Sequence, residues 1–224
     1  MYIILGTGKG DRKTGYIAES FLEEATSRGI DCICLSRKSI DYTDYKTFSE
    51  YIDNYWKTFS KDTVVINCAG YTGKPNVDAC ELNKDQAILG NIVLPTMLSE
   101  VCESRELPFV HISSGCIYNG DDKHFSEDDE PNFTFNTGSF YSGTKELAER
   151  SIKSNSSSYI FRLRIPFDQY SSPRNYITKL LTYETLVDAT NSLSHRGDFA
   201  KYCIDLIEGS APFGVYNVTN RGGI

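Results

Sequence analysis

Short apolar runs alternate with amphipathic stretches along nearly the whole chain. The apolar runs are typical of buried β-strands and lie at residues 2–5, 31–36, 63–68, 108–114, 158–164 and 214–218. The amphipathic stretches predict helices at about residues 15–28, 45–59, 85–104, 139–153, 173–183 and 197–208. Because strands separated by helices are joined by right-handed crossovers, this pattern predicts an α/β fold with a doubly wound parallel sheet.

Two stretches depart from this regular alternation. Residues 70–84 form a long predicted loop after the third strand. Pro95 falls inside the helix predicted at 85–104, where a missing N–H and a bulky ring should kink the helix or limit its regularity.

Composition and charge exclude several classes of partner. The net charge is −7 and Lys and Arg are not clustered, which argues against a nucleic-acid surface. No apolar run approaches the roughly 20 residues that a membrane-spanning helix needs. The apolar N-terminus is short and has no basic leader, so it predicts a strand and not a signal peptide. We therefore expect no nucleic-acid partner and no membrane.

Cysteine and histidine usage indicates free thiols and no metal. The seven cysteines are odd in number and include no Cys-x-x-Cys pair, which is typical of reduced thiols in a cytoplasmic protein. The three histidines show no metal-ligand spacing. We expect a cytoplasmic location and no metal cofactor.

The fourth strand and the helix after residue 138 carry the residues of a carbonyl-reducing site. Ser114 ends the strand, and Tyr141 and Lys145 are four residues apart, so that they share one face of a helix. An adjacent ammonium should lower the pKa of the phenol, which is about 10 in isolation, and make Tyr141 a usable proton donor. Ser114 could then hold the substrate oxygen on which negative charge develops.

A glycine-rich turn follows the first strand and predicts a dinucleotide site. Gly6, Gly8 and Gly15 would let the backbone of the next helix, at Tyr16 and Ile17, approach a pyrophosphate. The inserted residues 11–13 make the turn longer than usual, and a flexible loop is the alternative interpretation.

Two further strand ends refine this cofactor prediction. Arg37 follows the second strand, where NAD sites usually have an acid, and it could pair with the 2′-phosphate of NADPH. An ordinary exposed charge is the alternative. After the third strand, Cys68, Ala69 and Gly70 should bring backbone close to the nicotinamide, unless they form only a tight turn.

The combination resembles the extended short-chain dehydrogenase/reductase family. Within that family the chain is similar to the bifunctional UDP-4-keto-6-deoxyglucose 3,5-epimerase/4-reductases of UDP-rhamnose synthesis, and in outline to the dTDP-4-dehydrorhamnose reductases. The segments that carry the resemblance are residues 67–78, 114–118, 131–134, 138–142 and 172–179. The match extends over essentially the whole chain.

The resemblance implies a Rossmann-like domain at residues 1–165, which binds NADP and carries the catalytic residues. Residues 166–224 would then form a partial substrate-binding region with a returning strand. Relatives generally continue beyond the position of Ile224 through a further helical region, so this part is expected to be small and shortened.

The resemblance also implies an activity and the residues that perform it. The expected enzyme is an NADPH-dependent nucleotide-sugar 4-ketoreductase that first epimerises C3 and C5 and yields a rhamnose-type 6-deoxy sugar. Tyr141 would protonate the C4 oxygen, Ser114 would bind that oxygen, and Lys145 would hold the nicotinamide ribose. Cys116 and Lys179 would be the acid/base pair of the epimerisation. The expected substrate contacts are Thr72, Asn76, Arg174 and Asn175.

Several alternatives stay open on the sequence. Cys116 lies two residues after Ser114 and would share its side only if the chain remains extended; a buried structural thiol is the other interpretation. Asn91 matches a family asparagine but could simply be a polar residue that bends its helix. The whole chain could instead be a non-catalytic NADP-binding regulatory subunit or a GDP-sugar epimerase/reductase, and a homodimer is among the assemblies that the resemblance allows.

Overall fold

The computed structural model describes residues 1–8, 15–55, 62–120, 123–186 and 188–223. Its strands are β1 (Tyr2–Leu5), β2 (Cys32–Leu35), β3 (Val64–Asn67), β4 (Phe109–Ser114), β5 (Ser158–Leu163), β6 (Pro166–Phe167), β7 (Ser194–His195) and β8 (Gly214–Asn217). Its α-helices are α1 (Tyr16–Ser27), α2 (Tyr45–Tyr55), α3 (Lys84–Ile88), α4 (Leu94–Glu103), α5 (Phe140–Ile152), α6 (Tyr176–Leu180) and α7 (Arg196–Glu208).

Six strands form one parallel sheet in the order β2-β1-β3-β4-β5-β8. The register pairs Leu5 with Asn67, Asn67 with His111, and Ser114 with Leu163. The carboxyl ends of all six strands therefore meet at one edge of the sheet, where doubly wound folds bind their ligands. This architecture confirms the predicted α/β, Rossmann-like fold.

The sheet is buried on both faces, as expected for parallel strands covered by helices. On one face α1 and α7 pack together, and the rings of Phe21 and Phe199 meet edge to face with their centroids 6.1 Å apart. On the other face Phe48 of α2 and Leu98 of α4 are completely buried. Apolar packing on both sides fixes the strands and so the edge at which they end.

The structure divides the long helix predicted at residues 85–104 into three pieces. A π-helical turn at Leu89–Val93 lies between α3 and α4, directly before Pro95. Proline cannot donate a backbone hydrogen bond and its ring crowds the carbonyl four residues earlier, here that of Asn91. The irregularity expected from Pro95 is thus confirmed, and its form is a π-turn.

Other elements differ in detail from the prediction. The expected loop at 70–84 contains a 3₁₀ helix, Val77–Glu81, and the helix expected at 173–183 is only α6. The small parallel pair of β6 and β7 was not predicted, because two-residue strands have no periodicity to detect. Residues 9–14, which include the insertion in the glycine turn, and residues 56–61 at the predicted end of α2 lie outside the described residues. Among the helices described, none has the length and apolarity needed to span a membrane.

Candidate active site

Helix α5 begins at the carboxyl edge of the sheet because two side chains cap its first turn. Ser139 Oγ accepts a hydrogen bond from Ser142 N at 3.1 Å, and Glu81 Oε1 accepts one from Phe140 N at 2.6 Å. Such caps satisfy N–H groups that have no partner within the helix. They fix Tyr141 in the first turn, next to the end of β4.

The phenol of Tyr141 is hydrogen-bonded to Ser114, as the sequence suggested for two residues of one site. The electrostatics differ from the prediction, however. Burial raises the pKa of Tyr141, the neighbouring Cys116 raises it further, and only the hydrogen bond from Ser114 lowers it. The expectation that Lys145 lowers this pKa is therefore wrong, and Tyr141 is protonated at neutral pH.

Lys145 is buried and turned toward β4 instead. Its Nζ donates to the carbonyl oxygen of Ile112 at 2.9 Å and lies 3.1 Å from His111 Nε2. Burial lowers the pKa of Lys145 to about 8, while Glu149 and Cys116 act in the opposite direction. Burial and the nearby Lys145 also hold the pKa of His111 well below its usual range, so His111 stays neutral.

Cys116 reaches the site through a turn and not through an extended strand. Residues Gly115–Ile117 form a 3₁₀ turn whose cap is Ser114, with Ser114 Oγ accepting from Cys116 N at 3.2 Å. The condition of an extended chain is therefore not met. The turn nevertheless brings the thiol near Tyr141, and Arg164 Nη1 lies 3.2 Å from Cys116 Sγ. We call Ser114, Cys116, Tyr141 and Arg164 the outer cluster.

A second group of polar side chains lies deeper, below this cluster. Arg162 and Glu149 form a buried ion pair, with Nη2 and Oε2 2.6 Å apart. Ser113 Oγ also donates to Glu149, and Arg162 Nη1 donates to Tyr118 Oη at 2.8 Å. We call Ser113, Tyr118, Glu149 and Arg162 the inner network.

Asn91 ties the loop after β3 to the catalytic helix. Its Oδ1 accepts from Tyr71 N at 2.7 Å, and its Nδ2 donates to Tyr71 O at 2.9 Å and to Thr144 Oγ1 at 3.1 Å. Thr144 in turn donates to the Tyr141 carbonyl at 2.7 Å. Asn91 therefore positions α5 through these bonds, and the π-turn before Pro95 is what directs its side chain inward.

Gly143, between Tyr141 and Lys145, lies at a position where no side chain would fit. A Cβ at this position would lie 2.4 Å from the ring of Phe135, closer than any real contact. The absent side chain lets the loop before α5 pack directly on the helix, where Phe135 also contacts Phe140.

The two described ends of the glycine turn, Gly6 and Gly15, pack closely against backbone. Gly6 has a φ of +88°, and a Cβ there would lie 2.7 Å from Ala69 N. A Cβ on Gly15 would lie 2.5 Å from Gly6 O. Among the described residues, no side chain caps the N-terminus of α1, where the N–H groups of Tyr16 and Ile17 lie in the first turn.

The remaining predicted cofactor residues surround this turn. Exposed Arg37 lines a cavity of about 340 Å³ together with Lys38, Asp41 and Thr43. The buried hydroxyl of Tyr42 accepts from Gly6 N and lies near Arg37, which joins this cavity to the glycine turn. Cys68, Ala69 and Gly70 lie at the end of β3, with Ala69 N donating to Asn67 Oδ1 at 3.0 Å. Gly8 is half-exposed on the same turn.

The predicted substrate residues fall into two groups. Thr72, Asn76 and Arg174 are exposed. Lys179, which was predicted as a catalytic residue, is half-buried on α6 in the same segment as Arg174. Asn175 is different: only 2% of it is exposed, and its Nδ2 donates to Asp168 and Tyr170 while its Oδ1 accepts from Ile177 N. Its polar atoms are engaged within its own loop, so this geometry does not favour direct substrate contact by Asn175.

Arg196 connects that loop to the first helix. Its guanidinium forms an ion pair with Asp168, bonds Glu19 at 2.9 Å, and donates to Tyr16 O at 2.9 Å. The guanidinium also lies 4.8 Å from the centre of the Tyr16 ring. The segment that carries Arg174 and Lys179 is thereby anchored beside the N-terminus of α1.

Reasoning from the sequence missed His111 and Arg164 as members of the site. Arg164 directly follows β5, at the carboxyl edge where doubly wound folds collect functional groups, and that position was the available signal. His111 lies within β4, and no motif marked it. Over the described part of the chain, no group of three or more His, Cys, Asp or Glu side chains is arranged to hold a metal ion.

The sequence is similar to that of a known plant enzyme. The chain is 36% identical to a bifunctional dTDP-4-dehydrorhamnose 3,5-epimerase/dTDP-4-dehydrorhamnose reductase of Arabidopsis thaliana, over 72% of this chain and 55% of the relative. The chain thus spans about half the length of that relative.

Solved structures share the fold. A UDP-rhamnose synthase from Acanthamoeba polyphaga mimivirus aligns with a TM-score of 0.84 and 23% identity, covering 100% of this chain and 76% of that one. A dTDP-4-dehydrorhamnose reductase from Bacillus anthracis, in complex with NADP, aligns with a TM-score of 0.79 and 20% identity, covering 99% and 75%.

The family itself follows from a match over nearly the whole chain. The model described as RmlD substrate binding domain matches residues 3–223, which include every strand of the sheet except the first residue of β1. The chain therefore belongs to the RmlD substrate binding domain family.

Proposed function

We propose that this protein reduces a nucleotide-linked 4-keto-6-deoxy sugar with NADPH, after epimerising it at C3 and C5, to give a nucleotide-activated rhamnose-type sugar. The observation that carries the proposal is the outer cluster, in which a protonated Tyr141 is bonded to Ser114 and stands beside the Cys116 thiol. The Arabidopsis relative, which combines an epimerase with a reductase, supports the same pairing of activities.

The residues present fit a nicotinamide dinucleotide. Gly6 and Gly15 have no room for side chains, and no side chain of the described residues caps the start of α1 at Tyr16 and Ile17, which supports a pyrophosphate site there. We propose that the pyrophosphate binds there and at Gly8, and that Arg37 pairs with a 2′-phosphate. Cys68, Ala69 and Gly70, with Tyr141 and Lys145, would face the nicotinamide end. When bound, NADPH supplies the hydride.

For reduction, the chain must deliver a proton and stabilise a developing oxyanion. Because its pKa is raised, Tyr141 keeps its proton at neutral pH until the C4 oxygen becomes basic enough to take it. The single proton of the Ser114 hydroxyl can stabilise the substrate oxygen as charge develops on it, or afterwards the phenolate that results. We propose that Lys145, whose Nζ is held by Ile112 O, binds the nicotinamide ribose.

Epimerisation has to precede reduction, because protons at C3 and C5 are acidic only while the C4 ketone can accept the electron pair as an enolate. We propose that Cys116 and Lys179 are the acid and base for these transfers. In support, Cys116 lies beside Tyr141 and Ser114, which bind the ketone oxygen in this proposal. Among the contacts of the described residues, Lys179 Nζ has no hydrogen bond or ion pair that would occupy it.

We assign the substrate to residues 166–224 together with the loop after β3. Arg174, Thr72 and Asn76 are exposed and available to a diphosphate or sugar. Residues 1–165 contain the glycine turn and the outer cluster, and the substrate would bind on the side of that cluster that faces residues 166–224. The ion pairs of Arg196 with Asp168 and with Glu19 support one compact unit.

Incubation with NADPH and UDP-4-keto-6-deoxyglucose in D₂O tests the proposal. We expect NADPH oxidation and deuterium at C3 and C5 of the product, with the dTDP-linked substrate run in parallel to define the nucleotide. Tyr141→Phe should abolish the oxidation. Cys116→Ser should abolish deuterium uptake, and with it the oxidation on this substrate, while leaving reduction of already epimerised UDP-4-keto-rhamnose intact. Absence of both oxidation and uptake in the unmodified protein would overturn the proposal, and tight NADPH binding alone would indicate a regulatory subunit.

A further inference from the structure

Arg164 reaches the outer cluster from the strand next to β4. It directly follows β5, and because Ser114 pairs with Leu163 in the sheet, Arg164 stands beside Gly115. Its side chain lies over that glycine, with Cδ 3.4 Å from where a Cβ on Gly115 would be. From there Nη1 lies 3.2 Å from Cys116 Sγ.

The rest of the Arg164 side chain is held by neutral groups. Nη2 donates to Asn191 Oδ1 at 2.6 Å, and the backbone N donates to Ser194 Oγ at 3.0 Å. Within the described ranges no carboxylate forms an ion pair with this guanidinium, whereas Arg162 is paired with Glu149 and Arg196 with Asp168. Among the described residues, no carboxylate neutralises the positive charge of Arg164, which faces a thiol.

The backbone after Arg164 is in an unfavourable conformation. Ile165 has a φ of +42°, a region that β-branched residues rarely adopt. Pairing of β6 with β7 and the bond to Ser194 hold this conformation in place. The strain is consistent with a backbone that must direct Arg164 toward one particular neighbour.

We propose that Arg164 positions Cys116 and stabilises its thiolate during epimerisation. The inference rests on the proposed function, and it assigns Arg164 as a positioning residue that acts through Cys116. A hydrogen bond from a guanidinium to a thiolate is charge-assisted and stronger than one to a neutral thiol. The arginine therefore favours the form of cysteine that can accept a proton.

The proton transfer balances without a further reactant. The proton leaves the substrate carbon next to the ketone and binds Cys116 Sγ, while the C–H electron pair moves into the carbonyl to form the enolate. Lys179 then returns a proton to the other side of that carbon. Arg164 keeps its own protons throughout, and nothing is oxidised or reduced.

The first test measures the thiol in the free enzyme and needs no sugar substrate. Iodoacetamide alkylation is followed at Cys116 by peptide mass spectrometry from pH 6 to pH 10 in the unmodified protein and in Arg164→Gln, Arg164→Lys and Arg150→Gln. Arg150 is a surface arginine of α5 and serves as the control. At pH 7 we expect Arg164→Gln to slow alkylation about tenfold, the low end expected for a hydrogen bond to a charged group.

The pH dependence decides what that change means. If Arg164 stabilises the thiolate, the rates of Arg164→Gln and the unmodified protein converge toward pH 10, and Arg164→Lys, which keeps the charge, lies between them. An unchanged rate at pH 7, or a change of equal size at every pH, would overturn the proposal, because the latter reports only accessibility.

The second test separates the two half-reactions. We expect Arg164→Gln to slow deuterium uptake at C3 and C5 about tenfold and to leave reduction of already epimerised UDP-4-keto-rhamnose within about threefold. Equal losses in both reactions would show a structural role and contradict the proposal. If the unmodified protein exchanges no deuterium, the proposed epimerase has failed, and the alkylation experiment still decides whether Arg164 controls the thiol.

Discussion

The inner network and the outer cluster are built from neighbouring residues of the same strands, yet they differ in how completely their polar groups are paired. Ser113 and Arg162 belong to the inner network, where a carboxylate meets a guanidinium and further donors. One and two residues later, Ser114 and Arg164 belong to the outer cluster, which holds a phenol, a thiol and a charge without a carboxylate.

The difference shows how residues at one edge of the sheet can contribute to stability in the inner network and to chemistry in the outer cluster. Alternate residues of a strand point to opposite sides, so Ser113 and Ser114 reach different surroundings. Buried groups must be fully satisfied, since an unpaired charge in the interior is costly. Groups at the open edge can keep hydrogen-bonding capacity for a ligand. Mutations in the inner network should therefore change stability, and mutations in the outer cluster should change chemistry.

Tyr141→Phe, in the outer cluster, should give the largest effect, and that effect should be on catalysis and not on stability. Removing the proton donor should reduce kcat for ketone reduction by about 10²- to 10⁴-fold. Stability should fall by no more than about 1.5 kcal/mol, because only one hydrogen bond is lost. Steady-state NADPH oxidation and urea unfolding measure the two effects. Tyr202→Phe, at a tyrosine that is 45% exposed, is the control that should leave both unchanged.

Glu149→Ala tests the other side of the comparison. It leaves Arg162 buried without its carboxylate, which should lower the free energy of unfolding by about 3 to 5 kcal/mol. Glu146→Ala, one turn earlier on α5, breaks only a pair with exposed Arg150 and should cost less than about 1 kcal/mol. Urea denaturation compares them. Similar losses in both variants would mean that the inner network is not a stabilising unit.

Lys145 lies between the inner network and the outer cluster, and the pH dependence of stability reports its protonation state. Its pKa is lowered from 10.5 to about 8 in the folded protein, so both states hold the proton below pH 8 and burial of the charge costs stability. Between pH 8 and 10.5 the unfolded state binds more protons, and stability from this group rises with pH by up to about 3 kcal/mol. Unfolding of the unmodified protein and Lys145→Met should diverge in that window; parallel curves would contradict the lowered pKa.

Arg37→Gln should give the smallest effect, since it concerns an exposed charge outside both regions. Loss of a charge-assisted bond to a 2′-phosphate should raise the KM for NADPH about tenfold and leave the KM for NADH unchanged. Arg150→Gln, on the surface of α5, is the matched control. If Arg37→Gln weakens both cofactors equally, Arg37 does not read the 2′-phosphate.

Much of the site follows from local sequence and the rules of parallel sheets. Tyr141 and Lys145 share a helix because of their spacing, and Ser114 meets them because β4 ends where α5 begins. The charge relation between Tyr141 and Lys145 could not be predicted in the same way. Spacing brings two side chains to one helix face, but it does not reveal that Ile112 O and His111 engage the ammonium.

Residues with several plausible partners were the hardest to assign. Asn175 follows Pro173 and Arg174 in a segment typical of the family, yet its amide is consumed by Asp168 and Tyr170. Arg164 belongs to no motif, and only the fold brings it beside Cys116. Both outcomes depend on contacts between distant parts of the chain.

The sequence by itself determined the order of strands and helices, the parallel sheet and the edge at which the reactive side chains collect, because periodicity and short-range spacing encode these properties locally. Only the tertiary structure decided which groups are paired and which remain free, with Lys145 buried against His111 and Arg164 turned to a thiol. The physical reason is that burial and the nearest charge set hydrogen bonding and pKa, and both arise from residues far apart in the chain.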